Sequence, residues 1–292
     1  MKKVLYLCIL CIVCLPLTAC EDTDLRLASQ AGLEAVQALT LSEDEVKELS
    51  ARTAEHMDAQ LDTAPESNKH AQRLKRLVAR HQEMNGYTFD YQVYLSPTVN
   101  AFALGDGTIR VYSGLMDMMN DHELLFVLGH EVGHVVSEHV QEKMRIALAA
   151  SAVRKGFASQ QNLFGDLAGS ALGGFVQRLL NAQFSQQDER EADDFGLQFM
   201  KEHGYDPNMA VSALEKLATL GSDHSFLSTH PAPKERAKRL RTTLTNPNQE
   251  PDNQEKKLLQ TIIDQGKKLL LWAINILDSI VQFLLHLVGK GS

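Results

Sequence analysis

The chain has 292 residues, 44% of them hydrophobic and 23% charged, which sets it among globular proteins and gives it the length to bury a core. Its formal net charge is −8 and no Lys/Arg cluster is long. That excludes a nucleic-acid partner, because phosphate binding needs a concentrated basic surface.

Lys2 and Lys3 precede an apolar run from Val4 to Leu17 that is too short to span a bilayer, so the N-terminus reads as a secretory signal. The run ends in Leu17-Thr18-Ala19-Cys20, which resembles a bacterial lipobox. The resemblance implies removal of residues 1–19 and a diacylglycerol on Cys20; the alternative is an ordinary signal peptide with an incidental cysteine. All four cysteines (Cys8, Cys11, Cys14, Cys20) lie at or before the cleavage point, so the C-x-x-C-x-x-C spacing belongs to a discarded segment. The mature fold is then held without disulfides in an oxidising periplasm. The lipid ties the protein to a bacterial membrane without spanning it. By likeness to bacterial sorting rules, Glu21 after the cysteine points to the outer membrane, facing the periplasm.

From Asp24 to about Met84, apolar residues such as Val36, Leu39, Val46, Leu49, Leu74, Leu77 and Val78 recur at helical spacing, with a break near Pro65. The period then changes. Tyr87, Phe89, Tyr91, Val93 and Leu95 alternate with Thr88, Asp90, Gln92 and Tyr94, which predicts one strand with one buried face. Asn100 to Ala103 and Thr108 to Tyr112 predict two more short strands joined by a Gly105-Asp106-Gly107 turn.

Asn120 and Glu123 form a capping-box variant ahead of the apolar run Leu124 to Leu128, predicting a long helix that carries His130-Glu131-Val132-Gly133-His134. Two histidines at i and i+4 share a helix face and can reach one metal ion. The carboxylate of Glu131 can take a proton from the attacking water and pass it to the leaving amine. HExxH alone is a weak signal. A capped helix, a secreted chain and a downstream third ligand strengthen it.

Between Met144 and Gln183 the chain is small and apolar, with Gly165, Gly169 and Gly173 four apart. That is either a flap near the site or, the preferred reading, close helix packing. Helices are expected around Gln187 to Lys201 and Pro207 to Leu220. In the first, Glu189 and Asp193 are four apart on one face while Glu191 points elsewhere. Glu189 is therefore the expected third metal ligand, and Asp193 the group that receives the free ring N–H of a ligating histidine and orients it. Without the HExxH the same stretch would read as a solvated acidic face. His122, His139, His203 and His224 read as surface or structural; His139, five past His134, rotates away from the metal face.

Residues 246–255 are polar with Pro247 and Pro251, and read as a linker. Residues 256–292 follow as a helical extension. Within it Leu269 to Val288 is apolar, with Asn275, Asp278, Ser279, Gln282 and His286 in one stripe. That stripe argues against a spanning helix and for one that lies in the membrane interface or docks on the body, with plain core packing as the alternative.

Glu189-x-x-Ala192-Asp193 after HExxH resembles the HtpX and CaaX-prenyl-protease-type zinc metallopeptidases. So do Asn100-Ala101-Phe102-Ala103, the run Val111-Tyr112-Ser113-Gly114-Leu115, and His230-Pro231 with Glu235-Arg236. The likeness covers roughly residues 24–245; the tail departs from it. It implies a gluzincin fold, one Zn2+ per chain, and endoproteolysis of misfolded or membrane-associated envelope proteins. It also implies that His230 belongs to the site, polarising the scissile carbonyl or occupying the open metal position; the other reading is a cap packed with Pro231. The expected layout is a peptidase domain at 20–245 of the α+β class, mostly helical, with a small sheet beside the HExxH helix. Asn100 to Ala103 would receive an extended polypeptide substrate as an added strand. The envelope assembly machinery is a further candidate partner. The competing class is an outer-membrane assembly or binding factor with a vestigial metal site.

Overall fold

Ser42 starts the first described helix, α1 (Glu43–Asp58), with a capping box. Its hydroxyl accepts from Glu45 N–H, and Glu45 accepts in return from the Ser42 N–H at 2.8 Å. The computed structural model describes residues 38–155, 170–221 and 225–246. The chain divides at Arg241, and of the second unit only Thr242–Asn246 are described. The signal segment with Cys20, Gly165 and Gly169, His224, residues 247–255 of the linker and the tail lie outside the described residues.

Asn68 caps α2 (Lys69–Val78), just past the expected break at Pro65. Helix does not continue to Met84: β1 (Glu83–Met84) pairs antiparallel with β2 (Tyr87–Thr88). The two residues between them, Asn85 at φ 51° and Gly86 at φ 84°, both take the positive φ of a type I′ hairpin turn, for which Asn-Gly is the preferred pair.

The expected single strand from Tyr87 to Leu95 is thus split. Its second part is β3 (Asp90–Tyr94), which runs parallel to β5 (Thr108–Tyr112), while β4 (Ala101–Ala103) lies antiparallel on the other side of β5. The predicted turn between β4 and β5 is present. Gly107 has φ 95° there, and a Cβ on it would overlap the Thr88 carbonyl oxygen. The alternation also fails at its end, since Tyr94 is fully buried and Leu95 is 37% exposed. Two contacts draw Tyr94 inward: its ring packs edge-on against Tyr112, and its hydroxyl donates to Asp58 at 2.6 Å. Arg110, 2% exposed in the middle strand, grips the same Asp58 with Nε and Nη2, each at 2.9 Å, and so ties the end of α1 to the sheet.

α3 (Ser113–Met118) leads to the central helix α4 (Asp121–Val136), capped as expected: Asn120 Oδ1 accepts from Glu123 N–H at 2.9 Å, and Glu123 accepts from Asn120 N–H at 2.7 Å. The helix ends at Val136. Glu138 adopts φ 61°, and the chain restarts as α5 (His139–Lys155). α6 (Ser170–Asn181), α7 (Gln186–Glu202), α8 (Asn208–Leu217), α9 (Ser225–Thr229) and α10 (Pro233–Thr245) complete the described fold. α4 packs along α7, against α8 and against β4, so the HExxH helix is buried on every side but the cleft. Among the described residues no helix is long and apolar enough to cross a membrane.

Candidate metal centre

The close approach of α4 and α7 depends on glycine. A Cβ on Gly133 would stand 3.0 Å from Phe195 Cβ and 3.1 Å from Ala192 Cα, tighter than ordinary van der Waals contact. With no side chain there, the first turns of α7 settle onto the HExxH face. Ser185 caps α7 through a capping box with Asp188, which sets the rotation that turns Glu189 and Asp193 inward.

The result is a buried group of His130, His134, Glu189 and His230, each offering one ligand atom, all within 4.8 Å of one another. His130 Nε2 and His134 Nε2 are 3.1 Å apart, and His130 Nε2 is 3.3 Å from His230 Nδ1. Glu189 Oε1 lies 3.3 Å from His134 Nε2 and 2.9 Å from His230 Nδ1. Donors held about 2.0 Å from a tetrahedral ion are about 3.3 Å apart. Imidazole nitrogens cannot all donate to one another, so converging lone pairs at these spacings fit a cation. Burial pushes the His134 imidazole well below its usual range, which keeps that lone pair free. Burial alone would raise Glu189, but Arg236 and His230 outweigh it and hold the carboxyl well below the usual range.

The orienting contacts form a second layer. Asp193, fully buried, sets Oδ1 3.1 Å from His130 Nδ1, where it can receive that ring proton while Nε2 faces the ion. Arg236 donates to both Asp193 oxygens, at 2.9 and 2.6 Å, and pairs through Nη1 with Glu189. Burial raises the Asp193 carboxyl; Arg236 and His130 more than reverse that and carry it far below the carboxylate range. Arg236 reaches the site from the first turn of α10, which starts after Ala232 turns the chain at φ 57°.

Every residue singled out for the centre is therefore in one place, and Glu191 is turned away, bonded to His139 Nε2 at 3.1 Å and to Gln187. His139 is structural, as expected, and it also supports a ligand. It is not among the ligand group, yet it is buried with Nδ1 3.2 Å from His134 Nδ1. With His134 Nε2 on an ion, His134 Nδ1–H donates to His139 Nδ1, and His139 Nε2–H donates to Glu191. That contact with His134 was missed because the rotation argument assumed one continuous helix, and the turn at Glu138 resets the phase.

Glu131 stands beside the ligands, 1% exposed, and its Oε1 has no hydrogen-bond partner; His230 Nε2 is 3.6 Å from it. The cleft above is lined by Glu131, His230, Phe184, Leu179 and the whole of β4. In β4, Asn100, Phe102 and Leu104 face the partner strand, as the bonds Tyr112 N–H to Asn100 O and Leu104 N–H to Thr108 O show. Ala101 and Ala103 then direct their carbonyls, and Ala103 its N–H, towards the cleft.

A buried His, His, Glu ligand group, a carboxylate oxygen beside it without a hydrogen-bond partner, and a strand edge left unpaired among the described residues together define a metallopeptidase centre. Residues 65–244 match peptidase family M48, and the chain belongs to that family. It is 41% identical to the metalloprotease LoiP of Escherichia coli (strain K12) over 232 residues, 78% of this chain and 92% of that protein. It is 36% identical to the metalloprotease YcaL of the same strain over 236 residues, 79% of this chain and 93% of that protein. A third relative, the Beta-barrel assembly-enhancing protease of that strain, is 30% identical over 182 residues, 55% of this chain and 35% of that protein. The chain is a metalloendopeptidase, and the buried His130, His134 and Glu189 fit its metal site.

Proposed function

We propose that the chain is a zinc endopeptidase of the bacterial envelope, held to the membrane by a lipid on Cys20 and cleaving misfolded or membrane-associated proteins on the periplasmic side, most naturally at the outer membrane. The observation that carries the reading is the Glu131 oxygen left without a partner beside four convergent ligand atoms. A buried carboxylate without a hydrogen bond is costly unless something else engages it.

His130, His134 and Glu189 would hold the ion. A zinc ion held there would supply a Lewis acid for the scissile carbonyl and would acidify the attacking water. Asp193 orients His130, and Arg236 keeps Asp193 and Glu189 in register. An extended substrate adds to the open edge of β4 through Ala101 and Ala103, which gives affinity from main-chain bonds with little sequence selectivity. Glu131 takes the proton of the attacking water and returns it to the leaving amine. His230 lies close enough to Glu131 and Glu189 to polarise the carbonyl or to compete for the fourth ligand position.

In this layout 1–19 is the signal peptide, 20–245 the peptidase domain, 246–255 a linker and 256–292 an amphipathic helical extension that rests at the membrane interface or docks on the peptidase body. The lipobox-like Leu17-Thr18-Ala19-Cys20 supports the anchor. The name of the third relative ties that protein to β-barrel assembly, which makes the assembly machinery a reasonable partner here. The test is turnover of unfolded casein by the wild-type chain with zinc, compared with Glu131→Gln. Loss of turnover in the variant is expected, and equal turnover would refute the assignment. Radiolabelled palmitate incorporated into the wild type and not into Cys20→Ser tests the anchor.

A further inference from the structure

The mechanism leaves one charged group of the cleft without a role. Lys143 comes from α5 and lines the cleft together with Glu131, β4, Leu179 and Phe184. Its Nζ lies 4.1 Å from the centre of the Phe184 ring, and that ring stacks on the imidazole of His134 with centres 3.8 Å apart. Among the described residues no carboxylate forms an ion pair with it; Glu131 and Glu189 are felt only at longer range. Burial pushes the ammonium down to about 8, so it is still a cation at neutral pH. An aromatic face stabilises such a cation by roughly 0.5–2 kcal/mol but supplies no counter-ion. Charge without a partner in a concave, largely apolar site is where a ligand of opposite charge is selected.

We propose that Lys143 is a specificity-determining residue that selects substrates carrying a carboxylate, either a Glu or Asp side chain or a free chain end, beside the scissile bond. A peptide added to β4 sends alternate side chains to opposite faces, so one residue close to the bond over Glu131 points into the pocket between Phe184 and the strand. An apolar wall there accepts the stem of that side chain, and the ammonium meets its carboxylate. A Lys side chain at the same position meets like charge. Lys143 touches neither the ligand atoms nor Glu131, so it acts on the choice of substrate and not on the proton transfers.

The inference rests on β4 being the receiving edge, and the experiment separates the two. With the full-length zinc-loaded enzyme, one cleavage site in casein is mapped and remade as quenched fluorescent peptides, amidated at the C-terminus, in which each residue flanking the bond is in turn Glu, Gln or Lys. A second set ends in a free carboxylate at that position. The wild type is expected to cleave one Glu peptide, or one free-carboxylate peptide, with kcat/KM about tenfold above its neutral counterpart, the scale of one well-placed polar contact. The set that shows the ratio identifies the source of the carboxylate. Lys143→Met, which keeps an apolar stem over Phe184, should bring the ratio to about one, whereas Lys143→Arg should preserve it. Loss of packing alone would slow both peptides alike and leave the ratio standing. The proposal is overturned if the wild type shows no carboxylate preference in either set, if Lys143→Met keeps it, or if Lys143→Arg loses it as well. If Ala103→Pro leaves casein turnover unchanged, the receiving edge is wrong instead.

Discussion

Replacing Arg236 with Met would leave two buried carboxylates without their cation. Arg236 donates to Asp193 at 2.9 and 2.6 Å and pairs with Glu189, and the three side chains are 6%, 0% and 1% exposed. Removing one partner of a buried ion pair costs roughly 3–5 kcal/mol, chiefly because the remaining charge stays desolvated. A domain of this size loses roughly 2–4 °C of Tm per kcal/mol, so the metal-free variant should melt about 6–20 °C below the wild type. A bound cation restores positive charge beside Glu189 but not beside Asp193, so the zinc-loaded variant should lose less. Arg236→Lys keeps the charge without the two-pronged grip on Asp193 and should fall between. The assay is thermal unfolding by circular dichroism at pH 7.5, first with a chelator and then with equimolar zinc. A chelated Arg236→Met protein within about 2 °C of wild type, under the 1 kcal/mol scale, would refute the reasoning.

His230→Ala should lower casein turnover with the metal retained, because His230 Nε2 stands 3.6 Å from Glu131 Oε1 beside the cleft; higher basal turnover and self-cleavage would make it a competitor for the open metal position instead. Gly133→Val should push α7 away from α4 at a cost of roughly 1–3 kcal/mol and weaken metal retention in competition with a chelator, whereas unchanged retention would contradict the packing argument. Burial, with His203 and Arg80 adding to it, pushes His81 down to about 4, while the unfolded chain titrates near 6.5. The unfolded state therefore binds the proton first, so this contribution is complete above pH 6.5 and lost as pH falls towards 4. Urea unfolding of the chelated protein should show that slope, and His81→Leu should reduce it; parallel profiles would sink the assignment.

What could be read from sequence was what local geometry dictates. Two ligands at i and i+4, the capping box at Asn120 and the pairing of Glu189 with Asp193 four residues later all follow from helical spacing. Arg236 could be noted as part of a motif but not given its partners, since no local pattern joins position 236 to 193. The contact of His139 with His134 was not legible because a break after Val136 changes the rotation of everything beyond it. The hairpin at Asn85-Gly86 carried a turn signal inside what read as the end of a helix and the start of a strand. Tyr94 defeated the alternation because its partners, Tyr112 and Asp58, are distant in sequence. Lys143 carries no local signal, because α6 and Phe184, which surround it, are distant in the chain.

Metal content tests the centre most directly. After dialysis with zinc and gel filtration, about one ion per chain should remain in the wild type and in Glu131→Gln, with casein turnover lost only in the latter. His130→Ala, His134→Ala and Glu189→Gln should each lose the ion while keeping the native circular dichroism spectrum, and Glu191→Gln should keep it. Zinc lost from Glu191→Gln and retained by Glu189→Gln would contradict the ligand assignment.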